Sequence, residues 1–72
     1  MTIGQAVRRR REALGMSQSY LAEISGVCRV SIVRIEGDKF VPPIKTLDKL
    51  SKRLLCTTSD LLSAREATDE PG

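Results

Sequence analysis

The chain has 72 residues, 40% of them hydrophobic and only 3% aromatic, with a formal net charge of +3. One domain of this length buries only about 60% of the surface its unfolded chain exposes, and two rings, Tyr20 and Phe40, are too few to stack single-stranded bases. Two cysteines, Cys28 and Cys56, with no histidine fall short of a tetrahedral zinc site, so neither a metal nor another cofactor is expected.

Breakers at Gly15, Gly26, Gly37-Asp38, Pro42-Pro43 and Pro71-Gly72 divide the chain, and between them apolar residues recur at helical spacing. A first helix is predicted over 3–14, with Ile3, Ala6, Val7, Ala13 and Leu14 inward and Gly15 as its stop. Ser17 caps a second over 18–25, with Leu21, Ala22 and Ile24 inward; Tyr20 stands where Glu or Gln would complete a capping box. A third covers 29–36, burying Ile32 and Ile35 and leaving Arg29, Val30, Val33 and Arg34 outward. Pro42 and Pro43 hold a loop, since neither fits a helix interior. A fourth helix runs over 44–54 with Ile44, Leu47, Leu50 and Leu54 inward. Thr57, with Asp60 three residues on, caps a fifth over 58–65. Residues 1–66 then form one domain, and 67–72 are expected to be a disordered acidic tail with nothing to bury. The fold class is all-α, a compact five-helix domain.

Charge is unevenly placed along it. Residues 1–59 carry eleven Lys/Arg against five acids, +6, whereas 60–72 carry one against four, −3. A basic body favours a polyanionic partner. No apolar run approaches the roughly 18 residues of a membrane span. The basic, amphipathic start is unlike a secretory signal, so a cytoplasmic protein with reduced thiols is expected.

The stretch from Gln18 to Glu36 carries the chemistry. Ala22 is small where two helices must approach, Gly26 follows where the chain turns sharply, and Ile32 supplies an apolar wedge. Two short helices crossing through a tight glycine turn make a helix-turn-helix. With RRREALGMSQ, LAEISGV, VSIVRIE and IKTLDKLSKRL…TTSDLL in order, the chain from Ile3 to Leu62 resembles the phage lambda repressor and Cro class of helix-turn-helix regulators, the XRE family.

That resemblance implies a lambda-repressor-like DNA-binding domain with the helix-turn-helix at helices 2 and 3. Arg29, Val30, Val33 and Arg34 then face base edges in the major groove. An arginine forks onto guanine O6 and N7, and valine packs on a thymine methyl. Ser17, Gln18, Ser31 and Lys39 take the place of phosphate contacts, which position without specifying. Arg11 and Glu36 resemble a structural ion pair of the family, not DNA contacts. The implied function is a regulator, most simply a repressor, binding a two-fold operator in double-stranded DNA as a homodimer. Leu61 and Leu62 are the candidate dimer surface, since so short a chain cannot cover all its apolar residues.

Blander readings stand beside these. The Arg8–Arg11 run spans a full helical turn, so its members point all ways and at most one or two face DNA. Arg10 stands where the family has an apolar residue, so its stem is expected to cover core surface. Cys28 occupies an N-cap position where a thiol caps poorly, and a small buried residue is the default reading; Cys56 reads as core. Asp38 stands where the family has its glycine, so either Asp38 takes the left-handed conformation or the loop runs differently; Pro43 stands where a capping Ser is common, and Leu55 where a glycine ends the fourth helix. An antitoxin, a restriction–modification controller, or a chain with a toxin or polymerase partner fits the same motifs. A protein-bridging module would not need Arg29 and Arg34. An enzyme is not expected, with no histidine, nucleophile–base pair or phosphate loop.

Overall fold

The computed structural model describes residues 2–62. Within them lie α1 (Ile3–Ala13), α2 (Gln18–Ser25), α3 (Arg29–Glu36) and α4 (Ile44–Arg53). A fifth helix, α5, runs over 58–62 to the edge of the described residues. Among the described residues the fold is therefore all-α with five helices. The expected end of the fifth helix at 65 and the acidic tail over 67–72 lie outside the described residues.

Each helix starts for a reason legible in its sequence. Thr2 opens α1 with a reciprocal capping box: its Oγ1 accepts from the Gln5 amide at 3.1 Å and its own amide donates to Gln5 Oε1 at 3.1 Å. Ser17 Oγ accepts from the Tyr20 amide at 3.0 Å to open α2. At α5, Asp60 donates its amide to Thr57 Oγ1 and accepts the Thr57 amide. Those bonds hold the Asp60 carboxyl below the ordinary carboxylate range, the Thr57 amide first and its hydroxyl second.

Three of the helix ends share one geometry. After α1, the Met16 amide bonds the Arg11 carbonyl and Gly15, left-handed at φ 71°, bonds Glu12. After α3, Lys39 bonds Arg34 and Asp38, at φ 58°, bonds Ile35. After α4, Cys56 bonds Ser51 around Leu55 at φ 57°. These are Schellman closures, and two of the three left-handed positions belong to residues with a Cβ. Asp38 and Leu55 thus do the backbone work of the glycines they stand in for.

The core is aliphatic. Ile3, Ala6 and Val7 of α1, Leu21 of α2, Val27 of the turn, Ile32 and Ile35 of α3, Leu47, Leu50 and Leu54 of α4 and Leu61 of α5 are buried together. Cys56 packs against them as expected, and burial pushes its thiol above the ordinary range. Three expectations fail at the margins. Ala13 and Leu14 are exposed because Arg11 takes the inward place at the end of α1. Ile44 is exposed while the neighbouring Pro42 is buried. Cys28 is exposed. Arg10 is exposed, as the charged head of a side chain whose stem lies along the core would be.

At Gly4 the α1 backbone meets the end of α3. A Cβ there would run into the Ile35 carbonyl and lie 2.8 Å from Asp38 Oδ1. The first turn of α1 has no acid of its own. The Asp38 carboxylate therefore supplies negative charge beside that helix's positive end.

Candidate nucleic-acid interface

Along α3, Ile32 and Ile35 face the core, Arg29, Val30, Val33 and Arg34 face solvent, and Ser31 and Glu36 lie at the borders. At about 100° per residue, Arg29, Val30, Val33 and Arg34 fall on one arc and Ile32 and Ile35 on the opposite one. All four of the outer residues are exposed, and Val30 and Val33 keep 55% and 44% of their surface. Two β-branched apolar side chains flanked by two arginines make a face fitted to methyl groups and acceptor atoms at once.

What aims this face is the far end of the helix. Glu36 accepts from Arg11 Nε at 2.8 Å and Nη2 at 3.0 Å, while Arg11 Nη1 donates to the Met16 carbonyl at 2.8 Å. The side chains are 11% and 4% exposed. The guanidinium is held still more firmly ionised than usual, first by its hydrogen bonds to Glu36. The pair is the forked type that adds geometry as well as energy. Gln18 Nε2 also donates to Glu36 Oε1 at 3.2 Å. One carboxylate thereby ties the end of α3 to α1 and to the start of α2. The sequence points to a phosphate contact or an ordinary surface position for Gln18 and not to this bond, since a hydrogen bond across 18 residues has no local signal.

The remaining candidates fall into place around it. Ser17 uses a lone pair for its cap, and its hydroxyl proton is not consumed by that bond. Lys39 is exposed just past α3 and Ser31 is half-buried on its flank. Leu61 is buried in the chain's own core, which leaves it no surface to offer a second copy. Of the two leucines, only half-buried Leu62 retains free surface.

An open cleft of about 380 Å³ lies where α1, α2 and α3 meet, lined by Arg8, Arg11, Gln18, Val33, Glu36 and Gly37. It brings one base-facing candidate, Val33, beside one phosphate candidate, Gln18. Arg29, Val30 and Arg34 lie along the face beyond it. At the opposite end of α3, Cys28 makes no side-chain cap bond. No helix among the described residues is long and apolar enough to cross a membrane.

Comparison with known proteins agrees with this geometry. A family model described as Helix-turn-helix, HTH_3, matches residues 7–61. The HTH-type transcriptional regulator PuuR of Escherichia coli (strain K12) is 40% identical over 68 residues, 94% of this chain and 37% of its own length. The chain thus spans little more than a third of the curated relatives it matches. SinR, a master regulator for biofilm formation solved in complex with DNA, superposes at TM-score 0.82 with 35% identity, covering 85% of this chain and 98% of that one. The DNA-binding domain of the P22 C2 repressor superposes at TM-score 0.82 with 34% identity, covering 86% and 82%.

Proposed function

The chain belongs to the helix-turn-helix family HTH_3 and has the DNA-binding fold of transcriptional regulators, and from that premise we propose that it is a sequence-specific repressor. It binds a two-fold operator as a homodimer, with α3 in the major groove. The proteins it resembles are transcriptional regulators, not enzymes. The observation that carries the proposal is the outer face of α3, where Arg29, Val30, Val33 and Arg34 stand exposed together. Apolar Val30 and Val33 on a wet face cost little when they cover thymine methyls and have no other use there.

Ser17 and Gln18 at the start of α2, with Ser31 and Lys39, set the register by holding phosphates. Amides at a helix N-terminus reinforce that role. The protein acts in the cytoplasm, where its DNA is. Half-sites lie about one turn, roughly 34 Å, apart.

In-vitro selection from random duplex DNA tests the proposal directly. The expected result is an inverted repeat at that spacing, and recovery of no consensus overturns it. Arg29→Ala is expected to cost about 1–3 kcal/mol of binding, concentrated on one base position. A loss spread evenly over all sequences assigns Arg29 to phosphate instead.

A further inference from the structure

The four consecutive arginines are placed differently. Arg11 is consumed in the buried pair, with Nε, Nη1 and Nη2 all donating within the protein. Arg9 and Arg10 are exposed and stand outside the lining of the cleft. Arg8 differs from all of these. It lines the cleft shared with Gln18 and Val33, so it stands on the face that α3 presents to DNA.

Arg8 is weakly held there. Its Nε donates to Glu12 Oε2 at 3.3 Å, with the two side chains 61% and 55% exposed. The order along the helix is arginine first and acid four residues later, the less favourable orientation of an i,i+4 pair. Such a pair is screened by salt and easily exchanged. Among the described residues Arg8 has no other hydrogen-bond partner, so its Nη donors remain for a second anion. The Glu36 carboxylate also lines the cleft, yet Arg11 and Gln18 already donate to it three times. The cleft is therefore left with the charge of one arginine.

We propose that Arg8 is a further phosphate ligand on the α1 side of the interface, and that Glu12 is its internal competitor. In the free protein Glu12 occupies the guanidinium; on DNA a backbone phosphate displaces the carboxylate. Glu12 then lowers affinity for any duplex while leaving sequence preference alone. This rests on the reading of α3 as the DNA-contacting helix.

The test is a double-mutant cycle in the full chain over Arg8→Gln, Glu12→Gln and the double variant. Each protein is titrated across a salt series against a mixed-sequence duplex and against the selected site. Both side chains are more than half exposed, so all four proteins should keep the same thermal midpoint. Arg8→Gln is expected to lessen the log–log salt slope by about 0.9, one phosphate, and to weaken both duplexes by the same factor. Glu12→Gln is expected to tighten binding about two- to threefold, an effect that vanishes in the Arg8→Gln background. An unchanged slope in Arg8→Gln overturns the phosphate contact. A Glu12→Gln gain that persists without Arg8 overturns the competition and reduces it to net charge. If the wild-type chain binds neither duplex in a salt-dependent way, the DNA reading fails and this proposal with it.

Discussion

At its C-terminal end α3 closes with Glu36 accepting three hydrogen bonds from α1 and α2, whereas at its N-terminal end Cys28 offers the orphan amides no side-chain acceptor. A helix of eight residues is too short to be rigid on its own account, so its pose comes from what holds each end. The end tied by side-chain hydrogen bonds is the one farther from Arg29 and Val30. At the other end the burial of Val27 and Ile32 holds the helix in place of a cap. Polar restraint is accordingly concentrated at one end of α3.

The largest break in that contrast is Glu36→Ala. It strands the Arg11 guanidinium, whose side chain is only 11% exposed, in the wall of the cleft, and about 3 kcal/mol is expected to be lost. The low end of the range for buried pairs applies because the pair lies close to the surface of a small domain. A chain of this length has only about 4–11 kcal/mol in total, so a denaturant melt will register the loss. The double variant Arg11→Met/Glu36→Leu should recover much of it; a double variant as unstable as Glu36→Ala shows that geometry, not the stranded charge, dominates.

Gly4→Ala comes next and strikes the same end. Its Cβ would meet the Ile35 carbonyl, an immovable backbone atom, and about 1–3 kcal/mol should be lost as α1 and α3 are pushed apart. An unchanged melting midpoint would mean that the two helices are not in fixed contact. The smallest effect sharpens the contrast from the other side. Cys28→Ser supplies the missing acceptor and should stabilise the chain by about 1 kcal/mol. Amide exchange in the first turn of α3 should slow in that variant while exchange near Glu36 stays the same.

Much of this was legible beforehand, because the fold rests on local signals. The spacing of Leu47, Leu50 and Leu54, the cap at Ser17 and the turn at Gly26 each act within a few residues, and the helix limits follow from them. The outward set on α3 followed from helical periodicity for the same reason. The misses lie where a contact spans the fold. Nothing around Gln18 points to Glu36, and nothing in the arginine run tells which member lines the cleft. Leu61 reads as a spare apolar residue until the fold places it in the common core. Thr2 is a different kind of miss, since Thr-Ile-Gly-Gln does carry a capping-box pattern.

Leu55 holds a left-handed backbone at φ 57° with 73% of its surface open. A branched residue in that conformation carries roughly 1–2 kcal/mol of strain, while a glycine there would cost about 0.5–1 kcal/mol in unfolded-chain entropy. Leu55→Gly should therefore raise stability by about 0.5–1 kcal/mol, readable as a higher melting midpoint with DNA affinity unchanged. The strain at Leu55 is thus a reserve of stability, of the kind a natural chain commonly leaves unused. It lies in the turn after α4 and not on α3, so a change there would alter tolerance to other mutations without touching the face formed by Arg29, Val30, Val33 and Arg34.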